Sequence, residues 1–311
     1  MSQMKSIQDK ILTQAALEYK PVGMVCEEVL PELGVDQDTG LLAAYGTGFL
    51  RVVNSVSGGR GAYRRVDAMS YSTQQYVIEG HGLEEVCSAS DYRNWLQPFK
   101  PESDKTRALA QMLYLEKEKL LADTLADTAI ITQTTTLSGS DQWSDKDNSD
   151  PISVIETAQA AIRTGCGMYA NAAVIPIAVF KKLKFHPQLM DALGYKYARP
   201  GGLKASEIAD ALDLEKVFIP DCQYESANEG QSSSLADVWG KHMFLLVSPS
   251  SAQVGQISLG YMVRRQGESP RKVYKQATFN PPNGNLILCE DNYDLLIAKA
   301  TAAYSIKSAI A

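Results

Sequence analysis

The chain has 311 residues, of which 45% are hydrophobic and 21% charged. This supplies enough apolar material for one large core or two modest ones, without a disordered bias. The net charge of −6, with both signs scattered along the chain, argues against a general nucleic-acid-binding surface, so any contact with DNA has to be local. No apolar run of about 18 residues and no signal-peptide pattern occurs, so we expect a cytosolic protein.

The cysteines are odd in number, widely spaced and never arranged as Cys-x-x-Cys. This pattern argues against a disulfide framework and against a zinc knuckle. We expect reduced, mostly buried thiols. They are Cys26, Cys87, Cys166, Cys222 and Cys289.

The N-terminal part predicts a short arm helix followed by a long hairpin. Apolar residues recur at helical spacing over residues 5–19, and Pro21 and Gly23 end the pattern. Between residues 41 and 88 the chain becomes rich in Gly, Ser, Tyr and β-branched residues, with strand-like runs at 49–53 and 76–78 around the tip SVSGGRGAYRR. Such an excursion holds too little apolar material to be stable alone, so another surface has to support it.

Residues 103–130 predict the longest helix, because they contain good helix formers and neither Gly nor Pro. At 1.5 Å per residue the helix would span roughly 40 Å, the width of a whole domain. Ser103 or Asp104 is available as its N-cap. One broad apolar face is expected to contain Leu109, Met112, Leu113, Leu120, Leu121 and Leu125.

The acidic stretch SGSDQWSDKDNSDP, residues 138–151, raises the question of a metal site. It fails the calcium-loop pattern, which needs a Gly at the sharp turn and a terminal bidentate Glu. Ser149 or Asp150 in front of Pro151 instead predicts the start of an amphipathic helix that ends at Gly165 or Gly167. We interpret the stretch as a solvated loop with a helix cap.

The remaining chain predicts an α/β block and then strands. Residues 172–176 and 216–219 are predicted strands, and 178–185, 187–193 and 206–212 are predicted short helices. Residues 226–234 form a polar loop, and strands dominate from 257 onward. No internal repeat is visible.

Catalytic motifs are missing from the sequence. It contains no phosphate-binding Gly-x-x-x-x-Gly-Lys pattern, no Gly-x-Gly-x-x-Gly and no Gly-x-Ser-x-Gly, and only three histidines are available as bases. His81 with Glu84 and Glu85 resembles a metal triad only superficially. We expect no cofactor, no metal and no catalytic residue; a metal-dependent hydrolase using Asp145, Asp147, Asp150 and His81 remains the alternative from another class.

The hairpin tip carries a basic cluster of Arg60, Arg64 and Arg65 beside Tyr63. Arg and Tyr are favoured anchors of protein interfaces, so this cluster predicts a docking tip that contacts another subunit. Solvated surface charge and a small nucleic-acid contact are the alternatives.

Several segments, taken in order and spacing, resemble the major capsid proteins of tailed bacteriophages, which have the Hong Kong 97 fold shared with encapsulin shells. The likeness covers about residues 40–311, and none of its motifs is a catalytic signature. The segments are Gln142-Trp143-Ser144, Ser149-Asp150-Pro151-Ile152 with the amphipathic helix behind it, Asn171 with an apolar strand, Leu183 to His186-Pro187, Ser234 to Gly240, and LILCEDNYDLLIAKATAAYSIKSAI.

The resemblance implies an α+β fold of four parts. They are an N-terminal arm at 1–44, an E-loop hairpin at 45–90, a P-domain at 91–165 and 253–298 with its spine helix at 103–130, and an A-domain at 166–252 and 299–311. The E-loop and arm are expected to reach over neighbouring subunits, and the spine helix of a neighbour to lie beneath the hairpin.

The resemblance also implies a function. It predicts a non-enzymatic protein that assembles as pentamers and hexamers into an icosahedral virion shell, inside the host bacterial cytoplasm, around double-stranded DNA that it does not bind sequence-specifically. Portal and separate scaffolding proteins are expected partners, a decoration protein is left open, and no membrane is involved. An encapsulin-like cargo compartment is the alternative.

Two departures from the family pattern refine this expectation. Some members join subunits covalently through an E-loop lysine, but residues 45–90 contain no Lys, so the shell is expected to be held non-covalently. Some members carry a scaffolding segment of roughly a hundred residues before the hairpin, whereas only about forty residues precede it here, which favours a separate scaffolding protein or none.

Overall fold

The computed structural model describes residues 7–50, 52–53, 71–94, 100–194, 201–228, 230–249, 257–278 and 283–311. The hairpin tip with Arg60, Tyr63, Arg64 and Arg65 lies outside the described residues. Within the described ranges the fold mixes helices with two larger sheets and two small two-stranded sheets, which agrees with the predicted α+β class.

The helices are α1 (Lys10–Glu18), α2 (Cys26–Val29), α3 (Ala89–Asn94), α4 (Pro101–Ala126), α5 (Pro151–Cys166), α6 (Ile177–Leu183), α7 (Pro187–Ala192) and α8 (Ala205–Ala211). The strands are β1 (Ile7–Gln8), β2 (Glu32–Val35), β3 (Thr39–Tyr45), β4 (Tyr71–Val77), β5 (Glu79–Ser88), β6 (Thr134–Thr136), β7 (Ala172–Val174), β8 (Lys216–Phe218), β9 (Gln223–Glu225), β10 (Leu235–Asp237), β11 (Met243–Leu246), β12 (Gly260–Arg265), β13 (Arg271–Thr278), β14 (Gly284–Ile297) and β15 (Ala303–Lys307). Among the described residues, no helix is long and apolar enough to cross a membrane.

The six-stranded sheet is organised around the 14-residue strand β14. Its neighbours β5, β12 and β13 run antiparallel to it, β2 adds to β12 in parallel, and the two-residue strand β1 pairs with β13. Helix α4 lies across this sheet together with α1, and both bury apolar side chains against it. The core between them contains Leu12, Ala16, Leu109, Ala110, Leu113, Val273 and Ile287.

The five-stranded sheet has the order β6-β15-β11-β7-β8 and is covered on both faces. Successive residues of a strand point to opposite faces. Ala173, Leu245 and Ile306 accordingly pack with α5 and α6–α8, whereas Val174 and Phe244 pack with the second half of α4. The long helix therefore belongs to the cores of both sheets and connects them.

Several sequence predictions need correction at their boundaries. The long helix begins at Pro101, because proline suits the first helical position, so neither Ser103 nor Asp104 is its N-cap. Met112 and Leu120 are 57% and 43% exposed, so the apolar face is narrower than predicted. In the hairpin, Thr47–Leu50 is a short 3-10 helix and not part of a strand, because pairing of β3 with β4 already ends at Tyr45.

Other predictions are confirmed by the structure. Helix α5 starts at Pro151, the carboxylate of Asp150 accepts from the Ser153 amide at 3.0 Å, and Gly167 ends the helix in the left-handed conformation with φ of 80°. The short helices and strands from 172 to 219 occur within one to two residues of their predicted positions, and strands dominate from 260 onward. All five cysteines are buried and unpaired. The four domain boundaries stay a prediction.

The cap of α5 gives a direct test of local stability. We expect Asp150→Ala to lower the free energy of unfolding by about 1 kcal/mol, because an N-cap carboxylate satisfies an otherwise unpaired amide at the positive end of the helix. Asp147→Ala removes an exposed carboxylate from the same loop and serves as the matched control, with little expected change. Urea denaturation of the unassembled subunit measures both, and equal effects would contradict the capping role.

Candidate assembly surfaces

The root of the hairpin is anchored on the edge of the six-stranded sheet. Tyr76 is buried beside Leu33, Tyr261 and Leu296, with Leu42 packed against the same cluster. The amide of Val77 donates to Asp294 Oδ2 at 3.0 Å, and that of Ile78 to the Asp38 carbonyl at 2.8 Å. These contacts fix where the hairpin leaves the body.

Among the described residues, the two strands of the hairpin have little apolar packing apart from the contacts at the root. Strands β3 and β4 form a two-stranded sheet of their own, with Thr39 opposite Val77 and Tyr45 opposite Tyr71. Leu41 is 67% exposed and Val77 40% exposed. Isolated two-stranded sheets are marginal in water, so this geometry agrees with a hairpin that needs another surface.

The outer face of α4 is a second surface with exposed apolar residues. Met112 and Leu120 alternate with the carboxylates of Glu116 and Asp123 along this face, because residues three or four positions apart lie on the same side of a helix. Glu116 accepts a hydrogen bond from His81 Nδ1, and Asp123 pairs with Lys119. We call Met112, Glu116, Leu120 and Asp123 the outer helix face.

The inner face of α4 contains a buried charge cluster that sequence reasoning missed. The fully buried Lys117 Nζ lies 2.8 Å from Asp291 Oδ2 on β14 and 3.0 Å from Glu27 Oε1 on α2. Arg264 on β12 also pairs with Asp291, while Arg271 on β13 stacks on Tyr114 with its guanidinium 4.0 Å from the ring centroid. Charged side chains from the arm, the helix and three strands therefore meet in one place.

Asp291 stays ionised in this cluster. Burial by itself raises the pKa of its carboxyl, but the nearby charge of Lys117 and the hydrogen bond from Arg264 outweigh burial and hold the pKa below its ordinary value. The sequence shows only two adjacent carboxylates, Glu290 and Asp291, in the middle of the apolar run LILCEDNYDLLI. A strand with one exposed face would have the same pattern. Only the fold brings Lys117, Arg264 and Asp291 together.

Glu118, the next residue of the helix, holds the arm in place. Its carboxylate accepts from the amides of Val25 and Cys26 at the start of α2, and from the indole Nε1 of Trp239 at 2.8 Å. Burial raises the pKa of Glu118, although these three hydrogen bonds oppose the rise. One buried carboxylate thus connects the N-terminal arm, the spine helix and the segment before β11.

The acidic stretch has a structural role. The buried Trp143 donates its amide to the Ala309 carbonyl at 2.8 Å, and Gln142 Nε2 donates to the carbonyls of Ser308 and Ile310. The carboxylate of Asp145 accepts from the Asp147 and Asn148 amides within its own loop. The stretch therefore holds the end of the chain and starts α5.

His81 does not form a triad with Glu84 and Glu85. Its ring stacks on Tyr293 with centroids 4.4 Å apart, and its Nδ1 lies 3.2 Å from Glu116 Oε1. Within the described ranges, no group of three or more His, Cys, Asp or Glu side chains is arranged to hold a metal ion. The residues of the hydrolase alternative, Asp145, Asp147, Asp150 and His81, have the local contacts described above or, for Asp147, an exposed position in the loop.

The chain is similar to known proteins in both sequence and structure. No family model matches the chain. It is 24% identical to the major capsid protein of Burkholderia phage BcepMu over 269 residues, which is 84% of each protein. It is also 24% identical over 236 residues to the major capsid protein of Pseudomonas phage JBD67, covering 75% of each.

Solved structures share the fold over nearly the whole chain. A phage-related protein from Bordetella bronchiseptica superposes with a TM-score of 0.75 at 21% identity, covering 98% of this chain and 99% of that one. The capsid of cyanophage P-SCSP1u gives a TM-score of 0.60 at 8% identity, covering 99% and 91%. The virus-like particle from Pyrococcus furiosus gives 0.55 at 9% identity, covering 95% and 96%.

A long helix that packs on two sheets, with a hairpin rooted at the edge of one of them, is the architecture of the HK97-like phage capsid fold. The fold predicted from the sequence is confirmed. The relatives matched along three quarters or more of the chain are named major capsid proteins of phages, which confirms the resemblance seen in the sequence.

The buried charge cluster leads to a prediction about stability. We expect Lys117→Met to lower the free energy of unfolding by about 3 to 5 kcal/mol, because removing one partner leaves buried charge without compensation. Lys119→Met removes a partly exposed lysine from the same helix and should cost less than about 1 kcal/mol. Denaturant titration of the two unassembled variants measures the difference, and equal midpoints would contradict the role of the cluster.

Proposed function

We propose that many copies of this chain assemble, as pentamers and hexamers, into the icosahedral shell that encloses the double-stranded DNA genome of a tailed phage. The observation that carries this proposal is the hairpin: it is anchored at its root, exposes Leu41 and Val77, and leads to a basic tip. Subunits that support each other's hairpins provide the missing surface. The role is structural and involves no catalysis.

The hairpin tip and the outer helix face complement each other in chemistry. The tip contributes Arg60, Arg64, Arg65 and Tyr63. The outer helix face presents two carboxylates beside two exposed apolar residues. These groups complement the charge of arginine and the apolar ring of tyrosine. We propose that the tip of one subunit lies on the outer helix face of its neighbour, with Tyr63 as the apolar anchor.

Many such weak contacts suit the construction of a shell. A single exposed ion pair contributes about 1 kcal/mol or less, so one tip does not hold two subunits together. Repetition around each subunit multiplies the contacts while each remains reversible, which lets misplaced subunits leave before the shell closes. The total area buried per subunit is expected to exceed a standard interface of about 1,600 Å².

The finer parts of the proposal follow from the family. Assembly takes place in the host bacterial cytoplasm with a portal and a separate scaffolding protein as partners, and a decoration protein is left open. The encapsulin-like compartment is the second candidate, because the Hong Kong 97 fold that the sequence resembles is shared with encapsulin shells. The sequence relatives, however, are phage proteins, which favours DNA as the content.

A charge exchange tests the proposed contact. We expect Arg60→Glu, Arg64→Glu and Arg65→Glu together to prevent particle formation, because like charges would then meet at the interface. Glu116→Lys with Asp123→Lys should have the same effect. Combining all five substitutions in one chain should restore particles, which negative-stain electron microscopy would count.

The matched control keeps the charge. The triple variant Arg60→Lys, Arg64→Lys and Arg65→Lys should still form particles. Circular dichroism of the unassembled variants verifies that each subunit is folded. Normal particles from the triple glutamate variant would refute the contribution of the tip, whereas an absence of closed particles from the unchanged protein under all assembly conditions would refute the proposed function itself.

The absence of lysine from residues 45–90 gives a separate prediction. Particles that are boiled in detergent should run as a single monomer band on a denaturing gel, because no E-loop lysine is available to join subunits covalently. A ladder of subunit multimers would show that another covalent link exists.

A further inference from the structure

The acidic chain carries one lysine-rich surface that none of the roles above uses. The segment FKKLKF, residues 180–185, contains three lysines and no carboxylate. Lys181 and Lys182 close the last turn of α6 and are exposed, Lys184 follows directly, and Phe185 is 42% exposed. With Lys146 from the loop before α5, we call these five residues the lysine surface.

Phe185 brings the lysines of two separate segments together. Lys184 Nζ and Lys146 Nζ each lie 5.7 Å from the centroid of its ring. The backbone fixes this turn, because the Lys184 amide donates to the Phe180 carbonyl at 2.8 Å. The Phe185 amide donates to the Lys182 carbonyl at 3.3 Å, and Lys181 is exposed on the preceding turn. The charges converge around an exposed aromatic ring.

These lysines are not used for ion pairing within the subunit. Among the residues that the structure describes, Lys146, Lys181, Lys182 and Lys184 form no salt bridge, in contrast to Lys105, which pairs with two carboxylates. In the nearest acidic loop, Asp145 accepts from its own loop amides and Asp150 caps α5, while Asp147 is exposed and forms no salt bridge among the described residues. Lys181 and Lys182 also lie at the C-terminal end of α6, where the helix dipole attracts positive charge. That interaction requires neither an aromatic ring nor a lysine from another segment.

Exposed lysines from two segments that converge on one surface match the regularly spaced phosphates of a polyanion. We propose that the lysine surface contacts the phosphate backbone of double-stranded DNA, without reading its sequence. This deepens the proposed function, on which it rests for the presence of DNA. A few phosphate contacts per subunit, in a chain with net charge −6, give weak and salt-sensitive attachment rather than tight coating.

The experiment measures binding of the full-length, unassembled subunit to a labelled DNA duplex of mixed sequence by fluorescence anisotropy over a range of salt concentrations. Each phosphate contact contributes about 0.9 to the slope of log affinity against log salt. Lys181→Gln, Lys182→Gln and Lys184→Gln together should therefore reduce the slope by about 2 to 3. A second duplex of different sequence should bind equally well.

The control variant removes the same net charge elsewhere. Lys10→Gln, Lys20→Gln and Lys100→Gln replace three exposed lysines outside the lysine surface and should leave the slope close to that of the unchanged protein. Equal slopes for both triple variants would overturn the inference, as would a slope near zero for the unchanged protein. Binding to polyglutamate but not to DNA would overturn it in favour of an acidic protein partner.

Assembly separates this inference from the proposed function. The lysine variant should still form closed particles by electron microscopy, because its substitutions do not touch the hairpin or the outer helix face. If particles form and DNA binding is unchanged, the inference fails and the shell stands. If the triple variant is unfolded by circular dichroism, Lys182→Gln alone should still reduce the slope by about 1, and an unchanged slope would refute the contact.

Discussion

The packing of the arm and of the six-stranded sheet against the long helix α4 depends on two buried charged side chains of that helix. Lys117 is paired with Asp291 on the central strand, and Glu118 accepts hydrogen bonds from the arm and from Trp239. Buried charges are costly unless geometry satisfies them, so the arm, helix and strands fit in few alternative arrangements. Apolar packing against both sheets would tolerate small shifts of the helix, whereas this network penalises them.

The contacts at the root of the hairpin fix where it leaves the body of the subunit. The root is held by Tyr76 and by the hydrogen bond from Val77 to Asp294, close to where His81 stacks on Tyr293 of the same central strand. The direction in which β3 and β4 leave the subunit is therefore set by these contacts at the root. Such a subunit has a well-packed core, whereas the hairpin at its edge exposes apolar residues such as Leu41.

Local patterns in the sequence were sufficient where local chemistry decides the structure. The Asp150-Pro151 start of α5, its glycine end and the alternating α/β block follow from caps, proline geometry and periodicity. Lys117, Arg264 and Asp291 could not be placed together, because they are far apart in sequence and each resembles an ordinary surface charge on its own element. Met112 and Leu120 were assigned to the core for the opposite reason, since periodicity cannot tell a core from a face that another subunit covers.

Net charge proved to be a poor guide to individual surfaces. A value of −6 argues against a general nucleic-acid-binding surface, yet charge is not uniform, and a segment such as FKKLKF retains its local field within a Debye length of about 10 Å. Nearby, Asp145 and Asp150 accept from backbone amides, and the four lysines form no salt bridge among the described residues. A shell that repels DNA over most of its area and contacts it at few points would keep a polyanion confined without immobilising it, because each contact is weak and exchanges readily with salt ions.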